Sequence, residues 1–283
     1  MTPFHDDESL DEGRLASHLQ FLIDSGVHGV MVIGGSGEYA NLTPAERERV
    51  VTVTMQTVGK AVPVIVGALA TSTREVLDIG LHAQREGATA LLVLPPYYIK
   101  PSMDGVVLHF EKVARETGLN IIAYNNPGRT GWAITVEQLR TIADVPGVVG
   151  LKECDRDVAS ISLKIAAVGE RIAILSGDDD LGFATLLSGS PGAIWASPNL
   201  TPRLCLDLYA ACQLGDVPAA LALHNRLVQV VSAWFIPNHP GPLKEAMALI
   251  GRPVGPARLP LARMTSTQRD SLQETFRAYG PIE

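Results

Sequence analysis

Lys152 stands in Gly150-Leu151-Lys152-Glu153, the run that closes the apolar stretch Val145 to Leu151. A lysine at the end of a buried β-strand is either charged and paired or neutral and reactive, because desolvating an ammonium is costly. A neutral lysine is a nucleophile. About one β/α repeat upstream, Tyr124 ends the strand-like run Asn120 to Ala123 and opens Tyr124-Asn125-Asn126-Pro127-Gly128-Arg129-Thr130-Gly131. Lysine and tyrosine at adjacent strand ends point to Schiff-base chemistry with a proton relay. An ordinary lysine has a pKa of about 10.4, so making it half-neutral at pH 7 costs about 4 kcal/mol, an amount that burial is expected to supply. The alternative for Lys152 is a lysine snorkelling at a rim or paired with Glu153, and for Tyr124 an ordinary packing aromatic. Cys154 shares the lysine's face if the strand continues, and a packed thiol is expected there.

These residues need strands to hold them. Short apolar runs rich in β-branched residues alternate with longer amphipathic ones, the pattern of parallel β/α units. Seven strands are expected: Val27 to Ile33, Val62 to Gly67, Thr89 to Leu94, Asn120 to Tyr124, Gly147 to Lys152, Ile172 to Ser176 and Gly192 to Ala196. Helix starts are marked by Thr43-Pro44-Ala45-Glu46, which has the form of a capping box, and by Thr73 before Arg74-Glu75. From Pro202 onward the chain reads as four helices, Arg203 to Gln213, Val217 to Trp234, Pro242 to Ile250 and Thr267 to Tyr279. The whole fits the α/β class, as a (β/α)8 TIM barrel over residues 1–201 with a helical region, 202–283, packed on it. Only Met1 to Phe4 precedes the helix expected from Leu10 to Ser25, so the first strand must be short or truncated.

In such a barrel the active-site groups gather at the C-terminal ends of the strands. Those ends read Gly34-Gly35-Ser36-Gly37-Glu38, Pro95-Pro96-Tyr97-Tyr98, Tyr124, Lys152 and Gly177-Asp178-Asp179. The glycine-rich turn brings backbone N–H groups together and Ser36 adds a hydroxyl, a suitable cradle for a carboxylate. A phosphate site is not indicated, since neither GxGxxG nor a Gly-Lys-Ser/Thr sequence is present. Asp178, Asp179 and Asp180 are expected as helix caps rather than metal ligands. The seven histidines form no ligand-like pair, so no metal and no cofactor is expected, and His239 is read as a loop residue rather than a base.

The 283 residues carry a net charge of −7 with no basic stripe, which argues against nucleic acid as a partner. Cys154, Cys205 and Cys212 form no CxxC pair, and Met1 to Glu8 is acidic and polar without an apolar core; a cytoplasmic protein away from membranes is the expectation.

Taken together, these motifs resemble the dihydrodipicolinate synthase and N-acetylneuraminate lyase superfamily of class I pyruvate-dependent aldolases, on its dihydrodipicolinate synthase branch. The resemblance runs from Thr2-Pro3-Phe4 through the Gly-x-x-Gly-Glu turn, Tyr97-Tyr98, Tyr124 to Thr130, Gly150 to Glu153 and Ser176 to Asp179, to Asn238-His239-Pro240-Gly241-Pro242-Leu243-Lys244. It implies that Lys152 forms the Schiff base, that Tyr124 relays protons, and that Tyr98 reaches into a neighbouring subunit's site, hence a homodimer or homotetramer. It further implies that Gly35, Ser36 and Gly177 line the 2-oxo acid, with Ser36 binding its carboxylate, that Ile194 forms an apolar wall, and that Arg129 receives the carboxylate of an aldehyde substrate such as aspartate semialdehyde. The implied activity is condensation of pyruvate with that aldehyde.

The departures matter too. Gly35 lacks the hydroxyl that the synthases place between their two tyrosines, and Gly-Gly-x-Gly-Glu is also similar to the turn of 5-keto-4-deoxyglucarate dehydratases. Trp195 is bulky where small residues are common. Around Tyr39, Arg47, Thr71, Glu75 and Tyr97 the usual histidine and asparagine of the lysine-feedback site are missing, so weak or absent inhibition by lysine is expected. Two other functions stay open: aldol cleavage or dehydration of a 2-keto-3-deoxy sugar acid, and non-catalytic binding of a 2-oxo acid.

Overall fold

The computed structural model describes residues 1–279. The chain divides into two compact units, Val64–Trp195 and a second made of Met1–Pro63 with the residues from Ala196 onward.

The first segment of the second-named unit holds helix α1 (Glu12–Asp24), strand β1 (Val30–Val32) and helix α2 (Pro44–Val58). The capping box expected at α2 is present: Thr43 accepts from the Glu46 N–H, the Glu46 side chain accepts from the Thr43 N–H, and Pro44 occupies the first turn. No regular strand precedes α1. Met1 to Phe4 is reduced to a single antiparallel bridge between Phe4 and Leu10, and the Phe4 N–H is used by Val254 O at 3.1 Å. That approach requires glycine at position 255, whose φ is +75° and where any Cβ would strike the Phe4 carbonyl.

The intervening unit is a succession of β/α repeats: β2 (Val64–Ala68), α3 (Thr73–Glu86), β3 (Ala90–Val93), α4 (Met103–Thr117), β4 (Asn120–Asn125), α5 (Pro127–Thr130), α6 (Val136–Ala143), β5 (Val148–Glu153), α7 (Val158–Val168), β6 (Ala173–Ser176) and α8 (Gly182–Leu187). From β2 to β6 each strand pairs in parallel with the next in sequence. All four residues of β3 are buried, as are Ile121 to Asn125 of β4, which is why these strands read as apolar runs without alternation. Helix α3 is capped by Ser72, one residue earlier than expected; the hydroxyl of Thr73 bonds instead to His109 Nδ1 at 2.9 Å.

The seventh expected strand, Gly192 to Ala196, is not formed. It contributes one parallel bridge, Ser176 with Ala193, held by Ser176 N–H to Gly192 O (3.0 Å) and Ile194 N–H to Ser176 O (2.8 Å). Beyond it Trp195 turns its indole onto Gly182, which has no side chain to obstruct it, and donates from Nε1 to Ser176 Oγ at 3.1 Å. The bulky residue at 195 is thus accommodated by the glycine that begins α8.

After Ala196 come α9 (Pro202–Gln213), α10 (Val217–Trp234), α11 (Gly241–Leu249) and α12 (Ser266–Tyr279), within one residue of the expected bounds. Helices α9 and α10 pack on one another and α12 packs on α10. Among the described residues no helix is long and apolar enough to cross a membrane. The βα succession and its helical continuation make this the (β/α)8-barrel type with a C-terminal helical extension.

Candidate active site

β4 and β5 run side by side with Tyr124 in register with Lys152. Parallel neighbours in register point their side chains to the same face, so the pairing sets the two functional groups together. The Lys152 ammonium lies 5.0 Å from the centroid of the Tyr124 ring. Neither side chain is at a solvent-exposed rim: Tyr124 is buried and Lys152 half-buried.

Glu153 does not neutralise Lys152. It points to the other face, where Oε2 accepts from Lys164 Nζ at 2.8 Å and Oε1 from Asn125 Nδ2 at 2.6 Å. The Asp155 N–H also bonds Glu153 Oε1, at 2.7 Å, and Lys164 reaches Asp155 Oδ2 at 3.2 Å. Both Lys164 and Glu153 are fully enclosed. This buried cluster fixes the end of β5 while leaving Lys152 without an ion-pair partner among the described residues.

The charge state of Lys152 differs from expectation. Burial draws its pKa down, but the charges of Tyr124, Cys154, Asp179 and Asp178 together outweigh burial and hold the ammonium above its ordinary value. Tyr124 and Cys154 act in this way only as phenolate and thiolate. Burial raises the Tyr124 phenol and pushes the Cys154 thiol up to about 12, so both are neutral at pH 7, where the charges of Asp179 and Asp178 are those that oppose burial. Burial, expected to make the lysine half-neutral, is opposed by these neighbouring charges.

Cys154 is buried, its Sγ 3.9 Å from Tyr124 Oη, and as a neutral thiol it is the packed residue expected. Tyr124 Oη also accepts from Asn126 Nδ2 at 2.7 Å. Asn126 caps α5, accepting from the Arg129 N–H through Oδ1 at 3.2 Å. The Arg129 side chain is exposed and not committed to an ion pair among the described residues. Asn126 and its link to Tyr124 were missed by sequence reasoning, although its place two residues beyond the tyrosine and before a proline is a cap signal.

Gly177 follows β6, and its N–H bonds Glu153 O at 2.8 Å. A Cβ there would lie 2.6 Å from that oxygen and closer still to Cys154 Sγ, so glycine is what lets the chain pass the lysine's strand. As expected the neighbouring acids open a helical turn, Asp178 at the N-cap of the 3-10 turn Asp179–Leu181, and Asp178 and Asp180 are also ion-paired. Arg156 bonds Asp180 at 3.1 and 2.6 Å and lies 3.5 Å from Asp178, while no side-chain cap bond is made by Asp178. Among the described residues no group of three or more metal-ligating side chains is present. Ile194 is half-buried on the bridge beside Ser176. Tyr98 lies in the loop after β3, 88 % exposed, with a positive φ of 23°.

Gly35 and Ser36 belong to the other unit, in the turn after β1. That turn is built around Glu38, a buried residue at φ +58° whose carboxylate meets Lys244 Nζ at 2.6 Å and accepts from Asn41 Nδ2 and the Arg258 N–H. Thr2 Oγ1 donates to Gly37 O at 2.6 Å, and the Phe4 ring lies under both Lys244 and Arg258 at 4.3 and 4.0 Å. Thr2, Phe4, Glu38 and Lys244 thus act together to hold the glycine-rich turn in shape. His239 is a loop residue, as expected, and its Nε2 is hydrogen-bonded to Ser36 Oγ at 2.9 Å, which makes it the partner of the one hydroxyl in the turn.

Comparison with known proteins gives a consistent result. The model of the dihydrodipicolinate synthetase family matches residues 1–279. The 4-hydroxy-tetrahydrodipicolinate synthase of Thermodesulfovibrio yellowstonii is 35% identical over 283 residues, covering 100% of this chain and 97% of the relative. Among solved structures, dihydrodipicolinate synthase from Aquifex aeolicus superposes with a TM-score of 0.94 at 32% identity, covering 99% of this chain and 95% of that one. The chloride-inhibited dihydrodipicolinate synthase from Acinetobacter baumannii, complexed with pyruvate, gives 0.95 at 29% identity, covering 100% and 97%. The chain belongs to the dihydrodipicolinate synthetase family.

Proposed function

We propose that this protein is a class I lyase in which Lys152 condenses pyruvate with aspartate semialdehyde. Family membership supports the coarser statement, a Schiff-base lyase acting on a 2-oxo acid. The observation that carries the residue assignment is the register of Tyr124 with Lys152, with Glu153 turned away and spent on Lys164.

The neutral fraction of Lys152 attacks C2 of the 2-oxo acid, and the carbinolamine loses its hydroxyl as water when Tyr124, a neutral phenol at pH 7, delivers a proton. The iminium withdraws electrons from C3, which gives up a proton to form the enamine. C3 then attacks the aldehyde carbon, whose oxygen takes a proton. Water hydrolyses the resulting imine and returns the lysine.

In this proposal Ser36, presented by His239, engages the 2-oxo-acid carboxylate, and Gly35, Gly177 and Ile194 are further substrate-binding residues. Arg129, with its exposed and uncommitted guanidinium, receives the carboxylate of the aldehyde as a bidentate fork. Tyr98 serves a neighbouring copy, so the working form is a homo-oligomer, and its 88 % exposure in the single chain fits that role. Three free cysteines fit a reducing cytoplasm.

The test is product identification by mass spectrometry after incubation with pyruvate and aspartate semialdehyde, beside a panel of 2-keto-3-deoxy sugar acids. Condensation product with the semialdehyde is expected, and Arg129→Ala is expected to raise the KM for the semialdehyde about tenfold or more while leaving that for pyruvate unchanged. Gly35 supports the second reading. Cleavage or dehydration of a sugar acid without semialdehyde turnover would replace the first reading with that one.

A further inference from the structure

Tyr124 must move a proton, and the direction in which its hydroxyl points is not set by the tyrosine itself. Two groups meet its oxygen, Asn126 Nδ2 at 2.7 Å and the Cys154 thiol at 3.9 Å. The short contact is the stronger, and its polarity can be assigned. Arg129 N–H can only donate, so the Asn126 atom facing it at 3.2 Å is the amide oxygen, and the atom facing Tyr124 is the amide NH2. The Asn126 backbone carbonyl accepts from the Arg129 and Thr130 N–H groups and from Thr130 Oγ1, so the residue is held at both its main chain and its side chain. Tyr124 Oη is therefore an acceptor toward Asn126, and its own proton is left for another acceptor.

We propose that Asn126 is a positioning residue for proton transfer, its amide fixing the Tyr124 hydroxyl as a proton donor to the reacting atoms and supporting the phenolate left when that proton departs. The inference deepens the proposed function and rests on Tyr124 being the proton-transfer group. Asn126 lies on the same strand-to-helix connection as Tyr124, two residues on, and orders it locally. A hydrogen bond to an oxygen that becomes charged during reaction is stronger in the charged state, so the gain appears in turnover more than in substrate binding.

Asn126→Asp keeps an oxygen to cap the Arg129 N–H but removes the donor to Tyr124; Asn126→Leu removes both at similar volume. The experiment measures kcat and KM for pyruvate in both variants, in Tyr124→Phe, and in each variant combined with Tyr124→Phe. Borohydride trapping with pyruvate on Lys152 reports that each variant retains a formed site. The expected result is a fall in kcat of about ten- to hundredfold in Asn126→Asp and Asn126→Leu with KM within about twofold, and no further fall in the Tyr124→Phe background. An unchanged kcat, or a loss that persists undiminished on top of Tyr124→Phe, would overturn the assignment of Asn126 while leaving Tyr124 in place. A Tyr124→Phe enzyme with full turnover would instead remove Tyr124 from the proposed mechanism, and Asn126 with it.

Discussion

Replacing Lys164 by methionine separates burial from charge at the end of β5. Lys164 and Glu153 have side chains 1% and 0% exposed, and their contact of 2.8 Å is supplemented by bonds from Asn125 Nδ2 and the Asp155 N–H to Glu153. Deleting one partner of such a pair leaves an uncompensated buried charge, a cost of about 3–5 kcal/mol. For a chain of this size that corresponds to a drop in Tm of roughly 6–20 °C. The loss should depend on pH. Burial already holds the Glu153 carboxyl above its ordinary value despite Lys164, and removing the lysine raises it further. A carboxyl whose folded pKa exceeds the unfolded value of about 4.3 loses stability as pH rises through the folded value, so Lys164→Met should be less impaired at pH 5 than at pH 7.5. Lys112→Met is the control. Its pair with Glu116 is 47% and 37% exposed, and its removal should leave stability nearly unchanged. Denaturant unfolding of both variants at the two pH values is the assay. A Lys164→Met loss below about 1 kcal/mol, or one that does not shrink at pH 5, would refute the reasoning.

Three further outcomes are expected. Because Lys152 is held above its ordinary pKa, the rate of imine formation with pyruvate should rise about tenfold per pH unit from pH 6 to 8, measured by stopped-flow or timed borohydride quench; a flat profile would mean that the lysine is already neutral. Ser36→Ala and His239→Ala should each raise the KM for pyruvate, His239→Ala by about fivefold for one lost positioning hydrogen bond, with little change in kcat; an unchanged KM in steady-state assays would remove the pair from carboxylate recognition. Gly177→Ala should destabilise the protein by about 1–3 kcal/mol, since the new Cβ would press on Glu153 O and Cys154 Sγ; unfolding at the wild-type midpoint would show the site to be roomier than described.

The elements that sequence patterns revealed are those whose signals are local. The apolar runs of β2 to β6 and the Thr43 to Glu46 box needed only near neighbours to be read, and the C-terminal helices were bounded by their own glycines and prolines. The run at Gly192 failed because its length suits a strand while among the described residues it makes a single bridge, to Ser176, a tertiary fact. Lys152 and Tyr124 stood out by type and by strand-end position. Their surroundings did not. That Glu153 belongs to Lys164, that Asn126 meets Tyr124, and that Ser36 meets His239 across 203 positions all depend on where strands and helices bring distant side chains. The charge of Lys152 depends on distant neighbours in the same way: burial was legible from the apolar run, but the opposing charges of Asp178 and Asp179 come from the residues that follow β6.

The central claim is that Lys152 forms an imine with a 2-oxo acid. Incubation with pyruvate, reduction by borohydride and peptide mass mapping measures it directly. A reduced adduct on the peptide bearing Lys152, absent in Lys152→Ala, is the predicted result; an adduct on another lysine, or none in the wild-type protein, would contradict the account.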